Sequence, residues 1–241
     1  MVYIMKLTNI ILGVVVIIVL YVAYSYFFAS STSSSPSGIL DARGMHVVAA
    51  NSLPSNTSTN YGYSIWFYVD DWSHNLGQQK VIFDRGAGSK KGSVGSPSVA
   101  FDAVENNITV SIATTGDAPG DANTNTCTIQ NVPLQAWTNL IVTLNSRALD
   151  IYVDGKLVKT CLLSNPPRLD SGSSVRITPG GGFSGYTSRF QYFPAPLSPQ
   201  EAYNIYKSGY GGDTGLGALA SKYRIKVGFL EHNQEVNSFE I

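Results

Sequence analysis

Apolar and polar residues alternate along most of the chain after position 45, in short segments typical of strands with one buried face. Gly, Asn, Asp and Pro cluster between these segments, as they do at the turns of antiparallel sheets. The pattern predicts an all-β fold, namely an antiparallel two-sheet sandwich. Its predicted strands cover residues 45–50, 63–69, 80–84, 98–104, 107–113, 127–131, 138–145, 149–153, 156–162, 174–178 and 185–193.

The clearest alternation lies in residues 137–161 (WTNLIVTLNSRALDIYVDGKLVKTC). Within this stretch, Asp154-Gly155 separates the apolar runs IYV and KLV. Asp-Gly favours a two-residue hairpin turn in which both residues have positive φ. We therefore predict a β-hairpin that turns at this dipeptide.

One short helix is predicted after the last strand, over residues 198–208. Ser198 is a suitable N-cap, Pro199 fits the first helical position, and Glu201 completes a capping box. Gly209 then ends the helix. The tail that follows is expected to supply one or two further strands.

The N-terminal segment has a different pattern, because residues 10–28 (IILGVVVIIVLYVAYSYFF) contain no charged side chain. As a helix this run would span roughly 28 Å, close to the thickness of a bilayer's hydrocarbon core. It predicts a transmembrane helix, and Lys6 before the run favours a cytosolic N-terminus. The alternative is a signal peptide cleaved near Ala29. The pattern thus divides the chain into an anchor, a Ser-rich linker, a sandwich and a tail: residues 1–29, 30–37, 38–211 and 212–241.

The charge balance gives no reason to expect a nucleic-acid partner. Lys+Arg and Asp+Glu both number 16, and charged residues make up only 13% of the chain. Binding to phosphate backbones needs clustered Lys and Arg.

The sequence shows neither the paired carboxylates of a glycosidase nor the residue spacing of a metal site, and a Ser-His-Asp set, although possible, has no nucleophile-elbow pattern to support it. Sandwich glycosidases place acidic residues on alternate positions of one strand, so that the carboxylates share a face. No predicted strand has that arrangement. The histidines His46, His74 and His232 show no metal-ligand spacing. We therefore expect a protein without enzymatic activity.

Four segments carry a resemblance to a known family. They are residues 61–72 (YGYSIWFYVDDW), 80–86 (KVIFDRG), 133–160 (PLQAWTNLIVTLNSRALDIYVDGKLVKT) and 182–209 (GFSGYTSRFQYFPAPLSPQEAYNIYKSG). In order and spacing they resemble the laminin-G-like branch of the concanavalin A-like lectin/glucanase jelly rolls. The resemblance implies a jelly-roll topology and a binding or structural module, but it identifies no ligand.

A narrower resemblance concerns CTIQNVPLQAW and DIYVDGKLVKTC, which are similar to segments of membrane-anchored structural proteins of large icosahedral DNA viruses. It implies a minor capsid or virion membrane protein that links an inner membrane to the capsid. The partners implied are the lipid bilayer and neighbouring capsid proteins. The alternative function is a membrane-tethered lectin that binds glycans.

Calcium is the cofactor that the family resemblance allows, since many laminin-G-like domains bind it through loop oxygens; no other cofactor is expected. The loop at residues 116–125 (GDAPGDANTN) offers oxygen ligands, which suit a hard cation. These are Asp117, Asp121, Asn123 and Asn125. The alternative is a solvated loop without metal.

Glycan binding is the other function common in this fold, and it would use aromatic side chains on a sheet face or at the rim of a loop. The candidates are Trp72, Tyr186, Tyr192 and Tyr210. Trp66 and Trp137 lie within the strand pattern and are interpreted as core residues. The triplets at Asn56 and Asn107 fit the N-glycosylation acceptor pattern.

The two cysteines, Cys127 and Cys161, lie on predicted strands that flank the hairpin of residues 137–161. If those strands are neighbours, the two residues come within the distance that a disulfide needs. An even pair beyond a membrane anchor fits an oxidising environment. We therefore predict a Cys127–Cys161 disulfide, the alternative being two buried free thiols.

Overall fold

The computed structural model describes residues 13, 15–21, 33–34, 38–55, 58–86, 96–116, 122–168, 172–211, 226–231 and 234–240. The chain divides into two compact units, Met1–Thr32 and Ser33–Ile241. In the first unit, residues 15–21 are helical. Most of the predicted anchor, residues 1–29, lies outside the described residues. Within the described part, no helix has the length and apolar character needed to cross a membrane.

The second unit contains short 3-10 helices at Ala50–Ser52 and Pro179–Gly181, but its main regular elements are strands. In chain order they are β1 (Ser33–Ser34), β2 (Ile39–Asp41), β3 (His46–Val48), β4 (Tyr61–Asp71), β5 (Lys80–Arg85), β6 (Ser98–Phe101), β7 (Ile108–Thr115), β8 (Ala122–Ile129), β9 (Thr138–Asn145), β10 (Ala148–Val153), β11 (Lys156–Leu162), β12 (Val175–Ile177), β13 (Ser184–Phe193), β14 (Lys226–Glu231) and β15 (Gln234–Glu240). Each predicted strand overlaps an observed one. The strands β14 and β15 confirm that the tail supplies strands, and they pair with each other in a separate two-stranded sheet.

Two antiparallel sheets form the predicted sandwich. The seven-stranded sheet has the order β1-β13-β4-β9-β10-β11, with β2 also paired to β13. The six-stranded sheet has the order β3-β12-β5-β6-β7-β8. Alternate residues of both sheets point inward and form the core, as a pleated strand requires. Examples are Ile65, Phe67, Val142, Ile151, Phe83, Val99, Val110 and Ile129.

The helix α1 (Pro199–Lys207) confirms the predicted helix and its capping box. The Oγ of Ser198 accepts a hydrogen bond from the backbone N–H of Glu201 at 3.3 Å, and the Glu201 carboxylate accepts one from the Ser198 N–H at 2.7 Å. The apolar side of α1 covers part of the outer face of the seven-stranded sheet. There Ala202 and Ile205 pack against Ile141, Tyr152, Phe193 and Leu197.

The predicted hairpin turn is also confirmed. Asp154 has φ 50° and Gly155 has φ 71°, so both residues are in the left-handed region. The Oδ1 of Asp154 accepts a hydrogen bond from the backbone N–H of Asn139 at 2.9 Å. A Cβ added at Gly155 would lie 3.0 Å from the Cβ of Tyr206. The turn thus needs glycine both for its backbone conformation and for close packing against α1.

Two predicted loops are partly strands in the structure. Ser33 and Ser34, inside the Ser-rich linker, pair with Tyr192 and Gln191 of β13. The strand β8 begins at Ala122, within the candidate calcium loop of residues 116–125. Both segments have few apolar residues, and each is extended because a neighbouring strand offers unpaired backbone groups.

The predicted Cys127–Cys161 disulfide is present, with the two Cα atoms 6.1 Å apart. The two strands are not neighbours in one sheet, however. Cys127 lies on β8, at the edge of the six-stranded sheet, and Cys161 lies on β11, at the edge of the seven-stranded sheet. The disulfide therefore closes one side of the sandwich by joining the two sheets. Lys159 adds a hydrogen bond across the same side, from its Nζ to the carbonyl oxygen of Thr128 at 2.8 Å.

Candidate functional site

Aromatic side chains gather on the outer face of the seven-stranded sheet, beside the part that α1 covers. Because Ile65, Phe67 and Val69 of β4 point into the core, the alternate residues Trp66, Tyr68 and Asp70 point outward. The register pairs Tyr68 with Tyr186 of β13, so their side chains share this outer face. The two ring centroids are 6.5 Å apart.

Four aromatic rings form a continuous surface there, which we call the aromatic platform: Tyr68, Trp137, Tyr186 and Tyr210. The rings of Trp137 and Tyr210 are stacked, with centroids 4.4 Å apart and planes at 7°. Tyr68 lies 5.8 Å from Trp137 between centroids, at an interplanar angle of 48°. Tyr186 and Tyr210 remain 47% and 40% exposed, while Tyr68 and Trp137 are half-buried. The platform is therefore an open, largely apolar surface of adjacent aromatic rings.

Hydrogen bonds beyond the end of α1 hold Tyr210 in place. The Oγ of Ser188, on β13, donates to the carbonyl oxygen of Tyr210 at 2.7 Å. The Nη1 of Arg189 donates to the carbonyl oxygens of Ser208 and Gly209 at 2.8 and 2.7 Å. These contacts join the helix C-terminus to the sheet, and they keep the Tyr210 ring on Trp137.

Trp137 is positioned from the opposite side by the turn that precedes β9. Gln135, in the left-handed region with φ 55°, donates its backbone N–H to the carbonyl oxygen of Val69 at 2.9 Å. Its side-chain Nε2 donates to the carbonyl oxygen of Asp70 at 3.3 Å. The turn is thus attached to the end of β4, close to the outward-facing Tyr68 and Asp70.

A surface cavity of about 480 Å³ opens on the platform. Its described lining consists of Ile39, Tyr68, Asp70, Trp137 and Tyr186. Three aromatic rings and one aliphatic side chain supply apolar walls, and the exposed Asp70 supplies a carboxylate at the rim. Apolar walls with a few polar groups are typical of small-molecule sites, as is a volume of several hundred cubic ångströms.

A second cavity, of about 620 Å³, lies at one end of the sandwich and is more polar. Its described lining is Trp72, Val104, Glu105, Asn106, Asn107, Gln130, Asn131 and Leu134. Several of these polar groups already bond to one another or to the backbone. The Nδ2 of Asn106 donates to the carbonyl oxygen of Val132 at 2.9 Å, and the Nδ2 of Asn107 donates to Glu105 at 2.5 Å. We therefore regard the platform cavity as the better candidate site.

The four predicted glycan-contacting residues have three different positions. Tyr186 and Tyr210 both belong to the platform. Trp72 lines the second cavity, where its Nε1 donates to the carbonyl oxygen of Val104 at 2.8 Å and the Nζ of Lys80 lies 4.3 Å from its ring centroid. Tyr192 is 0% exposed and packs against Tyr63 in the core, so its assignment to a surface was wrong.

The interpretation of Trp137 as a core residue was also wrong. Trp137 is half-buried and lies on the outer face, whereas Leu140 and Val142 of the following strand point into the core. Trp66 is 5% exposed, but it is covered from outside by Tyr206 and does not belong to the core between the sheets. Tyr68 and Asp70 were not among the predicted site residues. Both occupy the alternate positions of β4 whose side chains point outward, so the alternation along the strand could have identified them.

The calcium candidates are only partly described. Asp117 and Asp121 lie outside the described residues. Asn123 and Asn125 lie on β8 rather than in a loop. The Oδ1 of Asn125 accepts hydrogen bonds from the N–H and the Oγ of Ser164 at 3.1 and 2.9 Å. Among the residues that the structure describes, no group of three or more His, Cys, Asp or Glu could hold a metal ion.

Of the two predicted glycosylation triplets, only one lies within the described residues. Asn56 lies outside the described residues. Asn107 is 6% exposed, and its Oδ1 accepts a hydrogen bond from the backbone N–H of Asn131 at 3.1 Å. Together with the bond from its Nδ2 to Glu105, this contact gives the Asn107 amide a structural role in the turns beside the second cavity.

With this geometry established, comparison with known proteins identifies the family. A family model described as the concanavalin A-like lectin/glucanases superfamily matches residues 41–202. The chain belongs to this superfamily. The match begins at the end of β2, includes β3 to β13 and ends within the first half of α1, and it confirms the resemblance predicted from the four sequence segments. No curated protein matches the chain in sequence.

Solved structures of botulinum neurotoxin binding domains have the same fold as this chain. The receptor binding domain of botulinum neurotoxin D has a TM-score of 0.52 at 15% identity, covering 73% of this chain and 43% of that one. The binding domain of botulinum neurotoxin DC in complex with SialylT has a TM-score of 0.52 at 14% identity, covering 74% and 45%. At these identities the likeness shows the fold alone. The chain spans less than half the length of these toxin domains.

Proposed function

We propose that this chain is a non-enzymatic carbohydrate-binding protein and that sugars bind in the cavity of the aromatic platform. The observation that carries the proposal is the lining of that cavity, in which three aromatic rings surround one exposed carboxylate. A sugar ring has apolar C–H faces and hydroxyl groups at its edge. The rings of Tyr68, Trp137 and Tyr186 would pack against the C–H faces, and Asp70 would accept hydrogen bonds from hydroxyls.

The rigidity of the platform supports this proposal. Binding is weakened when side chains must be ordered on association. Here Trp137 is stacked on Tyr210, and Tyr210 is held through Ser188 and the end of α1. The Trp137 ring is therefore held in place before a ligand arrives. Membership of a superfamily that includes lectins, together with a neighbouring toxin domain named in complex with SialylT, is consistent with a glycan ligand.

The carboxylates near the platform favour binding over hydrolysis. Glycosidases of this kind use two carboxyl groups, roughly 5 to 10 Å apart, on either side of the scissile bond. Asp70 is the single carboxylate in the described lining of the cavity. The adjacent Asp71 is engaged by Ser73, whose backbone N–H and Oγ donate to its carboxylate at 2.9 and 2.6 Å. These hydrogen bonds lower the pKa of Asp71, which is the opposite of what a general acid needs.

The experiment is a glycan-array screen of the full-length chain in mild detergent, followed by titration of the best sugar against two variants. Tyr186→Ala removes a wall of the cavity and should weaken binding by about tenfold, equivalent to about 1.4 kcal/mol. Tyr203→Ala is the matched control, because Tyr203 is 46% exposed on α1 and does not belong to the described cavity lining. Its affinity should stay within about twofold of the wild type.

Two results would overturn this proposal. One is the absence of binding to every sugar on the array. The other is an equal loss of affinity in Tyr186→Ala and Tyr203→Ala, which would place the sugar elsewhere on the molecule.

A second candidate function is a membrane-anchored structural role, such as that of a minor capsid protein between a virion's inner membrane and its capsid. It is favoured by the uncharged run at residues 10–28 and by the hairpin β14–β15, which pairs outside both sheets of the sandwich. The two functions are compatible, because an anchored protein can present a sugar-binding face. Fractionation of cells that express the full chain tests the anchor: recovery of the chain in the soluble fraction without detergent would contradict it.

A further inference from the structure

The described lining of the platform cavity has an unbalanced charge. Asp70 contributes a carboxylate, and no Lys, Arg or His belongs to the described lining. The aromatic walls add to this imbalance, since the face of an aromatic ring has negative electrostatic character and attracts cations. The formal charge of the described lining and the faces of its aromatic rings therefore have the same sign.

The guanidinium groups of two arginines on neighbouring segments bond to groups outside the described lining of the cavity. The Nη2 of Arg43 donates to the Oγ of Ser184 at 2.7 Å. The Nη1 of Arg189 is directed at the carbonyl oxygens of Ser208 and Gly209, beyond the end of α1. Neither arginine is among the described residues that line the cavity.

We propose that the platform cavity selects glycans by charge, so that sugars with a free amino group bind best, neutral sugars bind less tightly, and sugars with a carboxylate are disfavoured. The inference rests on the proposed carbohydrate-binding function and specifies the class of ligand. An ammonium group would face Asp70 and the ring faces of Tyr68, Trp137 and Tyr186. A sialic or uronic acid would bring a second carboxylate toward Asp70.

The magnitude follows from the exposure of Asp70. At a solvent-exposed position, two unit charges about 4 Å apart interact with roughly 1 kcal/mol, which is about fivefold in affinity. An ammonium group should therefore strengthen binding by about fivefold, and a carboxylate should weaken it by about fivefold. Both effects should shrink as salt is added, because the charges are exposed.

The test titrates the full-length chain with two matched pairs of sugars. Triacetylchitotriose and its fully deacetylated form compare a neutral with a cationic ligand, and lactose and sialyllactose compare a neutral with an anionic one. The wild type should prefer the cationic member of the first pair and the neutral member of the second. Asp70→Asn should reduce each preference to about twofold or less. Asp150→Asn, which removes a carboxylate on β10 outside the described lining, should leave both preferences unchanged.

The outcomes separate this inference from the proposed function. Binding of neutral sugars with equal or tighter binding of sialyllactose would overturn charge selection and leave the carbohydrate site standing. Preferences that persist in Asp70→Asn would also overturn it, because another group would then cause them. Failure of all four sugars to bind would count against the carbohydrate site itself.

Discussion

Two neighbouring core tyrosines should respond in opposite ways to the loss of their hydroxyl groups. Tyr61 and Tyr63 both lie on β4, are 3% and 1% exposed, and have ring centroids 5.2 Å apart. The Oη of Tyr63 accepts a hydrogen bond from the Nη1 of the buried Arg85 at 2.9 Å. The buried Oη of Tyr61 has no hydrogen-bond partner within the described structure. The substitutions Tyr61→Phe and Tyr63→Phe thus remove the same atom from two different environments.

The expected free energies follow from those environments. Tyr63→Phe removes a hydrogen bond to a charged group and leaves a guanidinium donor without this acceptor, which should cost about 2 to 3 kcal/mol of unfolding free energy. Tyr61→Phe removes a buried hydroxyl that is desolvated without compensation, so it should be neutral or stabilise the fold by about 1 kcal/mol. Urea denaturation at pH 7, followed by tryptophan fluorescence, measures both values. An equal loss in the two variants would refute the reasoning.

A pH series gives an independent check on the same pair. Burial is the main cause that raises the pKa of Tyr61 well above its ordinary value, and nearby Tyr63 adds to the shift. Because the folded-state pKa exceeds that of the unfolded chain, the folded state retains the proton when the unfolded state loses it. The protonated Tyr61 hydroxyl therefore leaves the free energy of unfolding unchanged below pH about 10. As the pH rises from there toward the folded-state pKa, the free energy of unfolding declines. Tyr61→Phe should therefore lose less stability than the wild type between pH 9 and 11.

Three further variants test other parts of the fold. The double variant Cys127→Ser/Cys161→Ser should lose about 3 to 4 kcal/mol, since the disulfide spans 34 residues; if it matches the oxidised wild type in urea, the bridge does not form in solution. Ser198→Ala should cost about 1 kcal/mol near neutral pH and reduce helix content by circular dichroism. Hydrogen bonds from Ser198 lower the pKa of Glu201. The stability that the cap contributes is therefore present above pH about 4.5 and is lost as the pH falls through the folded-state pKa of Glu201. A destabilisation by Ser198→Ala that does not change with pH would contradict this coupling. Gly155→Ala should reduce stability by about 1 to 3 kcal/mol, and an unchanged melting temperature would show that the turn can relax away from Tyr206.

The strands could be predicted from the sequence because a pleated strand shows its two faces as an alternation. The same alternation contained more information about the site than residue type alone. Trp137 has the parity opposite to that of Leu140 and Val142, and Trp66 has the parity opposite to that of Ile65 and Phe67. Both therefore point outward. The position of Trp137 within the strand pattern suggested the core, but the parity of the strand places its side chain on the outer face.

Other parts of the site could not be predicted, because parity gives the face of a sheet but not the register between strands. The pairing of Tyr68 with Tyr186 is a long-range contact, and the stacking of Tyr210 on Trp137 depends on where α1 ends. The disulfide shows the same limit. Its two cysteines could be paired from the sequence, but their location on edge strands of different sheets required the topology.

The error at Tyr192 has a specific structural cause. Tyr186 and Tyr192 are six positions apart, so a regular strand would place both on the same face. The register of β13 against β4 shifts between Ser188 and Gln191, and Arg189 has φ 46° at this bulge. An extra residue in one strand reverses its faces, which is why Tyr186 is exposed and Tyr192 is buried.

The same bulge links the core to the platform. Ser188 at its start donates to the carbonyl oxygen of Tyr210, and Arg189 within it donates to the carbonyl oxygens of Ser208 and Gly209. The irregularity that directs Tyr192 inward thus also provides the donors that fix Tyr210 over Trp137. A regular β13 would expose Tyr192 and leave the segment after α1 without these contacts. The position of the Tyr210 ring on the platform is for this reason a consequence of how β13 is built.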